Sequence, residues 1–261
     1  LTSTVPNLKI PYYEKLRKRK GKDSVYKVNP SLGVYYYRFN VTKKPMDDLR
    51  VRKALALTID RKLLVERVTK GGQVPATHFT PSVGGYQYPG SLPQSVTPDV
   101  IKEAKGLLAA AGYPDGKGMP QIEILYNTSE GHKKIAIAIQ QMWKKHLGVK
   151  VGLYNQEWKV YLDSQRKMNY SISRAGWIGD YPDPNTFLDM FVTAGGNNQT
   201  GWSNSKYDEA IAKAATLNDQ TARFAQFKIA ESILMTELPV MPIYFYTQNR
   251  LVSPKVRMLD R

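Results

Sequence analysis

An alternation of strand-like and helix-like segments over 122–175 constrains the fold of this chain more than any other feature. Residues 122–126 place apolar side chains at every second position, as a strand does. A run with helical spacing follows over 135–143 and stops at Gly148, after which residues 149–153 alternate again. A strand, a helix and a second strand in this order form a crossover unit. The pattern therefore predicts an α/β fold with a largely parallel sheet.

Helical patterns also lie on both sides of this unit. Each is a run of apolar residues at three- and four-residue spacing. Three of the predicted helices begin at Asp47, Asp60 and Thr97, and two more cover 207–214 and 227–234. An aromatic strand is predicted over 34–39 and a returning strand over 242–246. Residues 75–96 are rich in Pro, Gly, Ser and Gln, and they predict a long ordered surface loop.

The composition is that of a globular protein. Of the 261 residues, 42% are hydrophobic and 11% are aromatic, which is enough to build a buried core. No apolar run approaches the roughly 20 residues that a membrane span requires. The chain has no cysteine, so disulfides, thiolate metal sites and a thiol nucleophile are excluded. An acylated cysteine that anchored the protein to lipid would have to lie outside this stretch.

The net charge of +16 identifies polyanions as a rival class of partner. Six of the cations lie within the eight residues of 15–22, while the others are dispersed over the predicted helices. Such a run is a solvated surface element or a contact for a polyanion or a membrane surface. Because no RNA-recognition, zinc-finger or K-homology pattern accompanies it, nucleic acid is not the expected partner.

Motifs of enzymes and of cofactor sites are missing from the sequence. There is no G-x-S-x-G elbow, no H-E-x-x-H pair, no Walker loop and no dinucleotide glycine fingerprint. Asp180 and Asp183 are spaced as an acid/base pair could be, but acidic residues are common in proline-rich turns. We therefore expect a protein that is not an enzyme and that has no cofactor and no metal.

The most informative local segment is the acidic, aromatic corner at 174–185, which reads RAGWIGDYPDPN. A strand-like run ends there in a tight turn. From the residues alone, Asp180 is equally suited to bind a ligand and to cap the turn or the following helix. Together with VRKALALTIDR at 51–61 and YNTSEGHKK at 126–134, the corner resembles the C-terminal lobe of bacterial oligopeptide-binding proteins. These are the family 5 extracellular solute-binding proteins of ABC importers.

The resemblance runs from about residue 35 to about residue 250 and implies an architecture. It implies an α/β lobe of the type II periplasmic-binding-protein kind, with a mixed, largely parallel sheet flanked by helices and with partial strands of the other lobe. Residues 1–34 would be a remnant of the first lobe and a crossing strand. Residues 35–245 would form the C-terminal ligand-binding lobe, and 246–261 would return toward the first lobe.

The same resemblance implies a ligand site. Asp180 would pair with the α-ammonium of a bound peptide, and Arg174 and His132 would meet its carboxylate. The remaining candidates for the ligand site are aromatic. Trp177, Trp158 and Tyr246 match positions that line the cleft in the family, and Tyr36 lies in the strand that would cross from lobe to lobe. Ordinary core packing remains an alternative for each aromatic residue and is our prediction for Trp143 and Trp202. Gln165 stands where the family has a further arginine, and Arg166 lies beside it.

The function that follows is capture of short peptides for an ABC importer. We expect the complete receptor to be a monomer that delivers its ligand to permease subunits in the membrane, in the periplasm or another extracytoplasmic place. Two alternatives remain open. One is a basic polyanion-binding fragment, and the other is a related family 5 receptor for a dipeptide, a cell-wall peptide, heme, a nickel complex or an oligosaccharide.

Overall fold

A seven-stranded mixed sheet forms the centre of the molecule. The computed structural model describes residues 2–4, 12–15, 18 and 25–253. The strands are β1 (Thr2–Thr4), β2 (Tyr26–Phe39), β3 (Val74–Pro75), β4 (Ile122–Asn127), β5 (Val151–Gln156), β6 (Ile172–Ile178) and β7 (Val240–Val252). Their order in the sheet is β1-β7-β2-β6-β4-β5, and β3 also pairs with β7.

Helices flank this sheet. They are α1 (Leu49–Leu57), α2 (Arg61–Leu63), α3 (Pro98–Ala110), α4 (Glu130–Leu147), α5 (Trp158–Arg166), α6 (Asn185–Leu188), α7 (Ser205–Thr216) and α8 (Gln220–Glu237). A π-helical turn continues α2 over Leu64–Thr69, and short 3-10 turns occur at Pro114–Gly116 and Asp189–Phe191. The predicted α/β architecture, a mixed sheet flanked by helices, is confirmed.

The parallel and antiparallel pairs are divided between two halves of the sheet. Strand β4 pairs in parallel with β5 and with β6, and α4 supplies the predicted crossover between β4 and β5. The pairs that β2 forms with β6 and with β7 are antiparallel, as are the pairs of β1 and β3 with β7. Parallel neighbours need a long crossover connection, and the helices on the β4–β6 side provide it.

Local signals in the sequence set the ends of several helices. The side chain of Ser129 accepts a hydrogen bond from the backbone of His132 and caps α4, and Thr97 does the same for α3. At the other end of α4, Gly148 adopts the left-handed conformation, with φ of 71°, that stops a helix. Asp60 caps α2, as predicted from its position. These residues satisfy backbone groups that a helix end leaves free.

The two faces of the sheet carry different side chains around β6. Tyr35 and Tyr37 pair with Gly176 and Arg174, and we call this side the arginine face. The opposite face carries Tyr36, which pairs with Ala175 on β6. Helix α4 covers the arginine face, where its side chains include a ring against Tyr35. Helix α5 lies on the opposite face, where its side chains bond to the strand and pack beside Leu125.

Most of the described core is one continuous cluster that includes residues from both sides of the sheet, and Leu125, Tyr161 and Tyr170 form a smaller cluster beside α5. Trp143 is fully buried and its indole N–H donates to the carbonyl of Leu55 at 2.9 Å. Trp202 is also buried, and its indole N–H donates to the carboxylate of Glu237. The prediction that both tryptophans belong to the core is confirmed. Each buried indole has the hydrogen-bond partner that its burial requires.

The segment over 75–96 has no helix, as predicted, but it is more than a surface loop. Phe79 and Tyr86 are fully buried and belong to the core. The buried carboxylate of Glu231 on α8 accepts hydrogen bonds from the backbone N–H groups of Phe79 and Thr80, at 2.9 and 2.8 Å, and from the Tyr86 hydroxyl at 2.7 Å. The composition predicted the irregular backbone of this segment. The hydrogen bonds that hold it in place come from Glu231, which lies about 150 positions away in the chain.

Two further points concern the described part of the chain. Within it, we find no helix whose length and apolar character would suffice to cross a membrane. The basic run over 15–22 lies outside the described residues except for Lys15 and Lys18, which are helical.

Candidate functional site

The candidate site is the exposed edge of β6. This strand pairs with β2 along its whole length, from Ile172 to Ile178, but it pairs with β4 only at Ile172 and Ser173. From Arg174 to Ile178, the second edge of β6 therefore has no partner strand among the residues that the structure describes. An unpaired edge inside a sheet offers backbone donors and acceptors to an added strand.

The hydrogen bonds of Arg174 show which backbone groups face this edge. Its carbonyl accepts hydrogen bonds from the hydroxyl of Tyr161 and from Nε2 of Gln165, the latter at 3.0 Å, and both donors belong to α5. Backbone groups alternate in direction along a strand. Since the carbonyl of Arg174 points away from β2, the N–H and C=O groups of Gly176 and Ile178 face the same open edge.

Arg174 holds its guanidinium at the start of this edge. Its Cζ lies 4.8 Å from the centre of the Tyr35 ring, Nη2 donates to the Tyr246 hydroxyl at 3.1 Å, and Nη1 donates to Oδ1 of Asn127 at 3.3 Å. Its Nε is buried and has no partner among the described residues. The neighbours that orient this cation are thus uncharged, and none of the described carboxylates forms an ion pair with it. The positive charge is available to an anionic group of a ligand.

His132 lies beside this guanidinium but does not share its charge. Its Nδ1 is 3.3 Å from the hydroxyl of Tyr35, and the two rings are 5.6 Å apart. Burial and the neighbouring charge of Arg174 lower the pKa of His132 to about 3. The imidazole is therefore neutral at neutral pH. Arg174 is the cation at this end, and His132 offers a hydrogen bond rather than a charge.

Asp180 lies beyond the other end of the edge, two residues after β6 ends. It is exposed, and its backbone N–H donates to Oγ1 of Thr186 at 3.1 Å. Its carboxylate has no hydrogen bond or ion pair with any described residue. Asp183 differs, because both of its oxygens bond to the guanidinium of Arg223. Of the two carboxylates in the corner, that of Asp183 is therefore paired within the protein, and that of Asp180 is available to a ligand.

The separation of Arg174 and Asp180 along the chain corresponds to an extended ligand of a few residues. Arg174 and Asp180 are six residues apart, which corresponds to at most roughly 20 Å of extended backbone. An extended ligand of about three to six residues has a length within this range. The open edge lies between these two charges.

The predicted aromatic residues are distributed around β6 and do not all reach its edge. Trp177 is partly buried on the face opposite Arg174, and its indole N–H is buried without a partner in the described structure. Trp158 is 50% exposed and stacks on Tyr161, with the ring centres 5.6 Å apart. Tyr246 contacts Arg174 directly, as described above. Tyr36 is fully buried, its ring packs edge-on against Phe79, and its hydroxyl accepts from Arg38.

Sequence reasoning did not identify several residues of this site. Tyr35, which contacts both Arg174 and His132, immediately precedes the predicted residue Tyr36. Asn127 ends β4 and contacts the same guanidinium. Side chains alternate between the two faces of a strand, so Tyr35 and Tyr36 lie on opposite faces of β2. The alternation predicts that only one of them lies on the same face as Arg174. Which one does so depends on the register of β2 against β6.

Gln165 is held inside the protein at the position where a second arginine was expected. Its Nε2 donates to the Tyr161 hydroxyl at 2.8 Å and to Oγ of Ser173 at 2.9 Å, in addition to the carbonyl of Arg174. Arg166, the adjacent residue, is exposed at the end of α5. In this structure, Gln165 supports the strand backbone and adds no charge to the site.

A family model matches most of the chain. It is described as bacterial extracellular solute-binding proteins, family 5 Middle, and it matches residues 3–199. The periplasmic murein peptide-binding protein MppA of Escherichia coli is 48% identical over 227 residues, which are 86% of this chain and 42% of that protein. The periplasmic oligopeptide-binding protein OppA of Salmonella typhimurium is 38% identical over 261 residues, which are 97% of this chain and 46% of that protein. The chain thus spans less than half the length of these relatives.

Solved structures have the same fold. The murein tripeptide-binding protein MppA of Escherichia coli superimposes with a TM-score of 0.85 at 45% identity, covering 96% of this chain and 48% of that one. A complex of Haemophilus influenzae OppA with RPPGFSPFR superimposes with a TM-score of 0.84 at 36% identity, covering 98% of this chain and 50% of that one.

Proposed function

This chain belongs to family 5 of the bacterial extracellular solute-binding proteins, and from that premise we propose that it binds short peptides as the substrate-binding part of an ABC importer. The ligand would be an extended, zwitterionic chain laid along the open edge of β6. Its backbone would pair with Gly176 and Ile178, its ammonium with Asp180 and its carboxylate with Arg174.

One observation carries this proposal: the open strand edge lies between a carboxylate and a guanidinium that have no ionic partner among the described residues. Backbone pairing with a strand edge is indifferent to the ligand's side chains, while the two charges fix its direction. The half-exposed ring of Trp158 offers apolar contact without selecting a particular side chain. The site is therefore suited to peptides of varied sequence with free ends.

The relatives support peptides as the ligand class. Those reported above are named for binding oligopeptides or murein peptides, and one solved relative is a complex with a peptide of nine residues. We extend this property to the present chain. We also propose that the complete protein acts outside the cytoplasm as a monomer, that it delivers peptide to membrane permease subunits, and that it has no enzymatic activity. In our proposed division, 35–245 form the ligand-binding lobe between 1–34 and 246–261.

The test compares peptides with free and blocked amino ends. Trialanine and N-acetyl-trialanine are titrated into the chain, with binding followed by calorimetry or by amide NMR shifts. Loss of a charge-assisted hydrogen bond costs about 1.5–3 kcal/mol, so trialanine should bind at least about tenfold more tightly than its acetylated form. The substitution Asp180→Asn should remove this preference.

The matched control is Asp163→Asn, which neutralises an aspartate on α5 whose side chain is 48% exposed and pairs with Lys167. It should leave the preference for a free amine unchanged. If the Asp180→Asn variant still preferred trialanine by the same factor as the unmodified chain, the amine site would not be at Asp180 and the proposal would fail.

A further inference from the structure

Resting on the proposed function, we propose that Arg223 is a positioning residue for the amine end of the site: through Asp183 it holds the acidic corner, residues 179–185, in the conformation that presents Asp180 to a ligand ammonium. Arg223 lies on α8, 40 positions beyond Asp183. It would not touch the ligand itself, and its effect would be limited to ligands with a free amine.

The contact between Arg223 and Asp183 is a two-pronged ion pair. Nη2 donates to Oδ1 at 2.8 Å and Nη1 donates to Oδ2. Both side chains are about three-quarters buried, with 24% and 26% exposed. The Cζ of Arg223 also lies 4.7 Å from the centre of the Phe227 ring one turn later on α8. A planar guanidinium held by two oxygens and a ring has little freedom to move, so the contact fixes geometry as well as charge.

The corner depends on this contact because most of its other hydrogen bonds are local. Asp180 bonds to Thr186, and the N–H of Asn185 donates to Oδ1 of Asp183 at 2.8 Å. Two ties of the described corner reach distant parts of the chain. One joins the N–H of Gly179 to the carbonyl of Leu32 at 2.9 Å, and the other is the ion pair with Arg223. Asp180 lies between these two anchored residues, Gly179 and Asp183.

The ion pair also assigns different roles to the two carboxylates. Burial raises the pKa of Asp183, but hydrogen bonds from Arg223 and from the Asn185 N–H, with the charge of Arg223, lower it overall. Loss of Arg223 alone would therefore have two opposing effects. It would loosen the corner, and it would leave a second unpaired carboxylate that attracts an ammonium. A decisive variant must remove the brace without changing the net charge.

The double variant Asp183→Asn, Arg223→Gln meets this requirement, because it removes one charge of each sign. Affinities for trialanine and N-acetyl-trialanine are measured by calorimetry in the 261-residue chain. We expect the affinity for trialanine to fall about tenfold, since a charge-assisted hydrogen bond depends on geometry. The affinity for N-acetyl-trialanine should stay unchanged. Arg223→Lys keeps the charge but loses the two-pronged contact, and it should give an intermediate loss.

The double variant Asp48→Asn, Arg50→Gln is the matched control, because these two residues form a similar two-pronged pair at the start of α1. It should leave both affinities unchanged. An equal loss for both peptides in the double variant would mean general loosening and would overturn the inference. If Asp180→Asn abolishes the preference for trialanine but the double variant keeps it unchanged, the inference is also overturned. If Asp180→Asn also kept the preference, the proposed function itself would fail. If the double variant does not fold, the same comparison with Arg223→Lys decides the question.

Discussion

At the scale of single residues, the missing side chain of Gly176 decides where two others can lie. A Cβ on this residue would be 2.6 Å from the hydroxyl of Tyr246 and 3.2 Å from Nη2 of Arg174. The first distance is too short for any real contact, so the hydroxyl could not stay where it is. Gly176 thus permits the hydrogen bond by which Tyr246 orients the guanidinium. A glycine is needed here because it leaves room for the Tyr246 hydroxyl, and not because of its backbone conformation.

We predict that Gly176→Ala weakens the carboxylate end of the site. The added methyl group should displace the Tyr246 hydroxyl and misplace Arg174, which should reduce affinity for trialanine by up to about tenfold. Affinity for trialanine amide, which lacks the carboxylate, should change little. Calorimetric titrations with both peptides measure the difference. Gly106→Ala, where nothing lies within 4 Å, is the control. Equal losses for the two peptides would contradict the prediction.

At the scale of elements, the buried carboxylate of Glu231 joins α8 to the segment over 75–96. Three donors bond to it, but no cation is among them. Burial outweighs these hydrogen bonds and raises the pKa of Glu231 from 4.5 to about 7. The folded protein therefore holds a proton on this group at pH values where the unfolded chain has lost it. Its stabilising contribution is fully present below about pH 4.5 and is lost as pH rises through about 7.

Glu231→Gln should remove this pH dependence. Between about pH 4.5 and 8, the unmodified chain should lose up to about 3 kcal/mol of unfolding free energy relative to the variant. Urea unfolding at several pH values measures the difference. The partly buried His78 and His132 titrate in both proteins, so their opposite contributions cancel in the comparison. Glu209→Gln, at an exposed position on α7, should leave the pH profile unchanged. A difference between the two curves that did not vary with pH would refute the assignment.

At the scale of the whole molecule, the net charge of +16 and the proposed peptide site predict different responses to salt. A polyanion is held by many cations at once and releases counterions when it dissociates, so its affinity falls steeply with ionic strength. A zwitterionic peptide that is partly buried between one carboxylate and one guanidinium is screened much less. The charge of the chain therefore need not interfere with peptide binding.

We predict a small salt effect on the peptide and a large one on a polyanion. Between about 50 and 200 mM salt, affinity for trialanine should fall less than about twofold, while any affinity for a heparin oligosaccharide should fall at least about tenfold. Titrations of each probe at several salt concentrations provide the measurement. A trialanine affinity that fell as steeply as that of heparin would favour the polyanion-binding alternative.

The elements were predictable because their signals are local. Helix α4 illustrates this, since Ser129 and Gly148 mark its ends and its apolar spacing marks its buried face. The alternation of predicted strands and helices ends at residue 175, but strand β6 continues to Ile178. Its last residues pair with Gly33 and Val34, which lie more than 140 positions earlier in the chain. Pairing partners at such distances extend a strand beyond what its own residues indicate.

The amino-acid sequence by itself determined the strand–helix alternation, the helix caps and the presence of both Asp180 and Arg174, since each depends on neighbouring residues or on residue type. Only the tertiary structure decided that Tyr35 rather than Tyr36 faces the guanidinium, because the register of β2 against β6 sets that face. It also decided that Asp183 is neutralised and Asp180 is left available. That difference depends on Arg223, which folding brings to the corner from 40 positions away.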